Sequence, residues 1–482
     1  MPEKRIILLL DGTWNDADIG VGDTNIVRLR RIITQSLDPI PSQDQTRPQT
    51  ARTFTDQTGK KREHIIFYER GVGTGGFFDN IRGGGFGAGL ARNIRRAYNF
   101  LSSHYELGDQ VFIFGFSRGA YTARSLVGFI AAAGLLKSDS YSPANESRAW
   151  YYYRTSPYDR PRSTWNDLAS CVHDRDEFRI ECLGVFETVG ALGVPLRSFR
   201  RENRDLFEFH DVELSHICKI NLHALAVDEH RESFQATIWR QPQMTQIATI
   251  TEQTWFAGAH ADIGGGYIDE EERRNPELDD IPLDWMLKRL KVYYPDFPAN
   301  LNDPNIWKPI DKSSSIAAQH EPRRGLYRLT PFAIRSVCNH KVKIDGARFA
   351  INVCYDRHLA SLNERIHISV LQRLGKKVKF GPTGRALSDL QGVTSFHGFG
   401  GRILLHALLR EHVEHHREIY YAPQNILTVL PAIRNTYSTD APNATPLHVV
   451  DWSGEVLTTR TCDNSRLLQE LLKRAEARLR QK

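Results

Sequence analysis

The chain has 482 residues, 40% of them hydrophobic and 25% charged, an ordinary globular composition with room for one large α/β domain with insertions or for two to three domains. Its net charge of +6 favours weak attraction to anionic surfaces but lacks the basic weight of a nucleic-acid binder, so no nucleic-acid partner is expected. No window approaches the run of about eighteen apolar residues that spans a bilayer, and the N-terminus shows no charged-then-apolar signal pattern, so the sequence predicts a cytoplasmic protein without signal peptide or transmembrane segment.

Arg5-Ile6-Ile7-Leu8-Leu9-Leu10 is a continuous apolar run ending at Asp11-Gly12, the pattern of a central parallel strand. The polar stretch from Asp38 to Arg62 reads as a loop, and His64 to Tyr68 as a strand closing on Gly71-Val72-Gly73-Thr74-Gly75-Gly76. Leu90, Ile94, Ala97, Tyr98 and Leu101 share one helical face over Leu90 to Tyr105. Val111 to Phe114 reads as a buried strand, and Arg118 to Ala133 as a helix with Ala120, Ala123, Leu126, Val127 and Ile130 in register. Residues 138–178, rich in Tyr, Trp, Arg, Pro and Ser, look inserted. Phe178 to Phe186 then reads as a strand, His216 to Glu232 as a helix, and Gln253 to Ala259 as a strand leading into a loop.

After Leu290 the alternation fades: Glu364 to Leu374 and Arg402 to Tyr420 read as helices, Val378 to Val393 as a linker or insertion, and Arg466 to Gln481 as a basic helix. The expected fold is α/β, a doubly wound and mostly parallel sheet with helical and loop insertions and a largely helical C-terminal region. The expected division is a catalytic domain over residues 1–290 and a mainly helical extension or cap over 291–482.

The chemistry centres on Phe114-Gly115-Phe116-Ser117-Arg118-Gly119-Ala120. A Gly-x-Ser-x-Gly element between a buried strand and a helix has the form of a nucleophile elbow, in which a sharp turn lifts the serine hydroxyl above an α/β-hydrolase sheet. A serine attacks an acyl carbon only when a base takes its proton, so a histidine and an orienting acid should follow in the order serine, acid, histidine. His260, just past an apolar strand in Ala259-His260-Ala261-Asp262-Ile263-Gly264-Gly265-Gly266-Tyr267, is the best-placed base. Glu187 ends the apolar run Leu183-Gly184-Val185-Phe186, at the sheet edge where open α/β folds keep their sites, and is the leading acid. Asp228, Asp262 and Asp211 are its rivals, since a strand-end carboxylate can equally cap a helix or turn. The N–H of Arg118, with that of Gly12 or Thr13 in Asp11-Gly12-Thr13-Trp14-Asn15, would supply an oxyanion hole, although Asp-Gly also reads as a plain turn.

Six motifs in fixed order carry a family resemblance. They are Leu10-Asp11-Gly12-Thr13-Trp14-Asn15, Arg70-Gly71-Val72-Gly73-Thr74-Gly75, Gly115-Phe116-Ser117-Arg118-Gly119-Ala120 and Phe186-Glu187-Thr188-Val189-Gly190-Ala191. Ala226-Val227-Asp228-Glu229 with Phe234-Gln235-Ala236-Thr237, and Ala259 to Tyr267, complete the set. From residue 5 to about 290 the sequence resembles the α/β-hydrolase family once catalogued as a domain of unknown function, which includes the type 1 lipase effectors of bacterial type VI secretion. Tyr421-Ala422-Pro423-Gln424-Asn425 adds a weaker echo.

The resemblance implies Ser117 as nucleophile, Glu187 as acid and His260 as base. It also implies membrane phospholipid as substrate, peripheral membrane contact, delivery by a specialised secretion system, and a secretion-machinery, immunity or accessory protein as partner. The sequence departs from the family at Glu187, where aspartate is usual, and residues 376–415 are additional to shorter members.

Two further patterns are set aside. Gly71-x-Gly73-x-x-Gly76 matches a dinucleotide fingerprint but opens no helix, and His406, His412, His415 and His416 with Glu411 and Glu414 read as a solvated helical face rather than a metal site. The six cysteines include no Cys-x-x-Cys pair and read as reduced thiols. No metal or other cofactor is expected. Trp150-Tyr151-Tyr152-Tyr153-Arg154 with Arg160 and Arg162, and Arg197, Arg200, Arg201 and Arg204 with Phe199 and Phe207, suit either a lipid interface or a helical cap over the site. The expected function is phospholipase A-type hydrolysis of lipid carboxylic esters by a serine hydrolase. The alternative is a weak or inactive α/β-hydrolase scaffold that binds a lipid or a protein.

Overall fold

The computed structural model describes residues 4–12, 23–37, 49–55, 61–71, 85–189, 214–240, 249–267, 277–322, 332–338, 340–345, 350–355, 362–381, 417–437, 446–457 and 462–479. Its strands, in chain order, are β1 (Arg5–Leu10), β2 (Gln49–Thr55), β3 (Lys61–Glu69), β4 (Gln110–Phe116), β5 (Ile180–Phe186), β6 (Cys218–Ala226) and β7 (Ile250–Phe256). They continue as β8 (Gln319–His320), β9 (His340–Asp345), β10 (Ala350–Tyr355), β11 (Glu364–His367), β12 (Lys377–Gly381), β13 (Arg417–Tyr420) and β14 (His448–Val450). The α-helices are α1 (Asn25–Leu37), α2 (Gly85–His104), α3 (Arg118–Ala133), α4 (Pro143–Arg154), α5 (Arg162–Ala169), α6 (His260–Gly264), α7 (Asp280–Tyr293), α8 (Ile368–Arg373), α9 (Gln424–Thr436) and α10 (Cys462–Leu479).

An unbroken apolar strand is stable only when both of its faces are covered, and β1 meets that condition. Ile6, Leu8 and Leu10 join a core with Leu90, Ile94 and Tyr98 of α2 and Ala123, Leu126 and Ile130 of α3. Ile7 and Leu9 point the other way, into a core with Ile26, Leu29 and Ile33 of α1 and Leu283, Met286 and Leu290 of α7. β1 lies within a nine-stranded sheet of order β14-β11-β7-β6-β5-β4-β1-β3-β2, in which every pairing is parallel except that of β2 with β3. The mostly parallel, doubly wound sheet expected from the sequence is therefore present. From β1 the chain moves to β3 on one side and returns to β4 on the other. The C-terminal ends of β1 and β4 thus border the crevice in which open α/β sheets hold their ligands.

Several elements differ from the sequence expectation. Residues 216–232 form strand β6 and a 3₁₀ turn (Glu232–Phe234), not a helix. β6 is buried on both faces from Ile220 to Ala226, and its buried polar residues Asn221 and His223 interrupt the apolar run so that it mimics a helical face. Gln49–Thr55, within the expected loop, is an antiparallel edge strand, where polar side chains are tolerated. Glu364–Leu374 divides into strand β11 and short helix α8, and Lys377–Gly381, in the expected linker, is strand β12. Residues 402–416 and the histidines among them lie outside the described residues, as do Gly73 and Gly76. The sheet runs on past residue 290 through β11 and β14, beside a third core formed with α8, α9 and α10. The smaller sheets β9–β10 and β8–β12–β13 also lie in that region.

The aromatic insertion contains α4 and α5 and packs on the later turns of α3. Trp150 and Tyr153 pack on Phe129 at ring separations of 5.2 and 5.1 Å, and Arg175 donates to the carbonyl of Ala132. Phe129 is three turns along α3 from Ser117, roughly 18 Å at the helical rise. Much of the aromatic character is spent on that packing, while Tyr151 and Tyr158 are exposed. The Arg197–Arg204 run lies outside the described residues. Among the described residues no helix is long and apolar enough to cross a membrane.

Close contact between α3 and β1 fixes the whole arrangement. A β-carbon on Gly119 would stand 2.0 Å from the carbonyl oxygen of Leu10, and the obstacle is backbone. Gly119→Ala is therefore expected to lower folding stability by about 3 kcal/mol or more, read as a shifted midpoint in chemical denaturation.

Candidate active site

Ser117 occupies the turn between β4 and α3 with φ 56° and ψ −119°, backbone angles that an L-residue rarely adopts. Small neighbours make the turn possible: a β-carbon on Gly115 would meet the carbonyl oxygen of Gly119 at 2.6 Å and Cα of Ala120 at 2.7 Å. The Ser117 N–H donates to the carbonyl of Phe186 at 3.1 Å, tying the elbow to the end of β5. The residue after Phe186 is Glu187, also at positive φ (48°). Among the described residues four non-glycines have positive φ, Ser117, Glu187, Cys338 and Asn363, and the first two stand at the ends of adjacent strands.

His260 begins α6, a single helical turn where the sequence suggested a loop, and it follows the end of β7. Its Nε2 lies 2.8 Å from Ser117 Oγ, and its Nδ1 lies 3.2 Å from Glu187 Oε2. The imidazole is packed by Phe116 and Phe234 at ring separations of 4.9 and 5.1 Å, and its backbone N–H donates to Glu229 Oε2 at 3.3 Å. Three side chains at least seventy positions apart in the chain thus form one hydrogen-bonded line, all of them buried.

The rival carboxylates are engaged elsewhere. Asp228 accepts from the N–H of Gly258 at 2.7 Å and from the hydroxyl of Tyr421 at 2.9 Å. Asp262 accepts from the N–H of Ala259 at 2.8 Å and lies 2.5 Å from Nδ1 of His320. Both therefore brace the short turn that carries His260. Asp211 lies outside the described residues.

Glu187 has both carboxylate oxygens occupied. Oε1 accepts from the N–H of Ala226 at 2.5 Å and from Arg335 Nη1 at 2.7 Å; Oε2 accepts from Arg335 Nη2 at 2.7 Å. Burial alone would push this acid up, but the Arg335 guanidinium and the His260 contact hold it down at about 2. Glu187 is accordingly a carboxylate at neutral pH. Burial pushes His260 below the ordinary histidine value, and the bond to Glu187 only partly offsets that, so the imidazole is neutral and able to accept a proton.

On the opposite side of Ser117 a β-carbon on Gly12 would lie 3.4 Å from Ser117 Cβ, so the β1 loop abuts the elbow. The Gly12 N–H donates to Asp11 Oδ1 at 2.7 Å, and Asp11 also accepts from Thr24 Oγ1 at 2.8 Å and Tyr68 Oη at 2.9 Å. Burial raises Asp11 to about 6 against those hydrogen bonds. Thr13 lies outside the described residues. Arg118 opens α3, whose positive dipole end is at Ser117. Among the described residues no group of three or more His, Cys, Asp or Glu side chains is placed to hold a metal ion.

The family model for the type VI secretion phospholipase effector, Tle1-like, catalytic domain, matches residues 4–289, more than half of the chain. The chain belongs to this family. The match ends near α7, so β11, β14 and Arg335 lie beyond it. An uncharacterised protein of Saccharomyces cerevisiae is 29% identical over 217 residues, covering 40% of this chain and 30% of that protein. The chain therefore spans less than a third of the length of the curated relative it matches. Two solved structures are similar. One is an uncharacterised protein from Pseudomonas aeruginosa, with 15% identity and a TM-score of 0.34, over 64% of this chain and 48% of that one. The other is the Tle1 effector bound to the VgrG spike of the type VI secretion system, with 14% identity and a TM-score of 0.35, over 75% and 94%.

Arg335, Glu229 and Arg231, the braces Tyr421 and His320, and the Asp11–Thr24–Tyr68 cluster were not singled out by sequence reasoning. None belongs to a catalytic motif that spacing could reveal, although Asp11, Glu229 and Tyr421 fall inside segments shared with the family. The electrostatics carry a testable consequence. If His260 must be neutral to act, the acid limb of kcat/KM for a soluble ester should fall below about pH 6.5, the ordinary histidine value. Glu187→Gln should move that limb to still lower pH, because it removes the group that raises His260, and should reduce kcat by about 10²–10⁴-fold. A pH–rate profile of the two proteins checks both.

Proposed function

We propose that this chain is a serine hydrolase that cleaves the carboxylic esters of membrane phospholipids, by phospholipase A-type acyl hydrolysis. The observation that carries the reading is the position of His260 between Ser117 Oγ and Glu187, at 2.8 and 3.2 Å. Family membership supplies the substrate class.

In this reading Ser117 Oγ attacks the ester carbonyl while His260 Nε2 takes its proton. Glu187 fixes the imidazole through Nδ1 and stabilises the imidazolium. Negative charge on the former carbonyl oxygen is met by the N–H of Arg118, reinforced by the dipole of α3, together with an N–H of the Gly12–Thr13 loop. Gly12 can serve only by giving up its bond to Asp11. The imidazolium returns its proton to the departing alcohol, the lysophospholipid. Water, deprotonated by His260, then releases the fatty acid and regenerates Ser117.

We further propose that the protein contacts membranes peripherally, acts as an effector delivered by a specialised secretion system, and pairs with the secretion machinery or with an immunity or accessory protein. These statements follow the family, not the geometry. Residues beyond 290 are proposed as an extension that completes the catalytic domain.

Incubation of the protein with phosphatidylethanolamine and phosphatidylglycerol vesicles, followed by mass spectrometry, tests the function. Free fatty acid and lysophospholipid are expected from the wild type, with Ser117→Ala and His260→Ala slowed by several orders of magnitude. Hydrolysis of short-chain esters without any phospholipid product would keep the serine chemistry and overturn the substrate class.

A further inference from the structure

Arg335 lies outside the family match of residues 4–289, yet it makes more polar contacts with Glu187 than His260 does. Its guanidinium, 1% exposed, grips both carboxylate oxygens at 2.7 Å. The two terminal nitrogens also bond to backbone: Nη1 donates to the carbonyl of Ala226 at 2.9 Å and Nη2 to that of Phe234 at 2.6 Å. One side chain thus fastens the acid to the end of β6 and to the following 3₁₀ turn, whose Phe234 packs against His260.

The segment that carries Arg335 is itself anchored at both ends. Phe332 bridges Arg231 in antiparallel fashion and lies tilted against the His230 ring at a centroid separation of 4.8 Å, and the Ala333 N–H donates to the carbonyl of His230 at 2.9 Å. At the other end the N–H of Cys338 donates to Glu364 Oε2 at 3.0 Å, and Glu364 also receives Trp255 Nε1 at 2.6 Å. Residues 332–338 therefore form a strap from the rim of the site to β11.

Glutamate has one more rotatable bond than aspartate, the shorter acid that could also orient a histidine. A longer acid on a strained backbone needs an external clamp if its carboxylate is to keep one face toward an imidazole. A planar, bidentate guanidinium provides such a clamp, and a lysine does not.

We propose that Arg335 is the positioning residue of the acid in this chain, and that strap 332–338 completes an active site that the family-matched region alone leaves unfinished. The inference rests on the serine–histidine–glutamate reading above. Arg335 acts in two ways: it fixes the plane of the Glu187 carboxylate, and it balances that charge so that His260 faces a near-neutral pair. Among the described residues, the other charged groups that act most on His260 are Glu229 and Arg231, which form their own buried ion pair at 2.9 Å.

The test is steady-state kinetics of the full chain on a soluble ester, with Arg335→Lys, Arg335→Met, Glu187→Gln and the double variant Arg335→Met/Glu187→Gln, beside Ser117→Ala. Arg335→Lys should lower kcat about tenfold and Arg335→Met about 100-fold, with KM nearly unchanged. In Arg335→Met the acid limb of kcat/KM should move to higher pH, because Glu187 is no longer balanced and raises His260. That is the opposite direction from Glu187→Gln.

The double variant, which buries neither charge alone, should be no slower than Glu187→Gln, since Arg335 acts only through that acid. Losses that multiply in the double variant, or an Arg335→Met enzyme with wild-type kcat and acid limb, would overturn the inference. Were Ser117→Ala fully active, the triad reading itself would fall. An inactive Ser117→Ala beside an indifferent Arg335→Met would remove the proposed role of Arg335 alone.

Discussion

The site depends on the approach of Gly119 to the carbonyl end of β1. With no side chain at that point, α3 settles against the sheet closely enough for the chain to turn through Ser117 at φ 56°. The unfavourable backbone at Ser117 persists because its surroundings over-determine it: the hydrogen bond from its N–H to Phe186, the apposition of Gly115 to Gly119 and Ala120, and the apolar cover of β4 on both faces. Once the elbow is fixed at the point where strand order reverses, the Glu187 and His260 side chains aligned with Ser117 need only come from the ends of β5 and β7. Parallel strands in one sheet deliver their C-terminal ends to the same edge.

Burial of ionisable groups near that edge is tolerated in part because two of the carboxylates are paired with guanidinium groups. Glu187 is matched by Arg335 and Glu229 by Arg231, while the buried Asp228, held by neutral donors, is pushed up to about 6. An unpaired charge in such surroundings would be expelled or neutralised. Pairing has a chemical consequence as well as a structural one. His260 lies among groups that nearly cancel, so burial dominates its proton affinity and favours the neutral imidazole. Asp228 and Asp262, which sequence order alone allowed as triad acids, instead bond the backbone N–H groups of Gly258 and Ala259 and hold the turn bearing His260.

How far the sequence discloses this depends on the range of each interaction. The elbow is local: a buried strand, two glycines around a serine and a helix are contiguous, and they were legible at residues 111–133. Glu187 and His260 were legible as strand-end residues in the right order, but the choice among Glu187, Asp228 and Asp262 was not, because it turns on contacts between distant strands. Arg335 left no trace in the pattern, being 148 positions from Glu187 in a stretch without clear periodicity. The helical expectation for β6 fails because buried polar residues, in contact with neighbours such as Thr251 and Thr188, break the apolar run of a central strand. The position of the aromatic insertion was equally hidden, since composition gives no hint that Trp150 and Tyr153 meet the far end of α3.

The central claim is that the buried hydroxyl of Ser117 is an activated nucleophile. A fluorophosphonate reacts covalently with such a serine and hardly at all with an ordinary one. Intact-mass analysis with peptide mapping, on the wild type and on His260→Ala, would test it directly. A single adduct at Ser117 is expected, forming quickly in the wild type and slowing by orders of magnitude without the imidazole. No adduct, or labelling of another serine at a rate indifferent to His260, would contradict it.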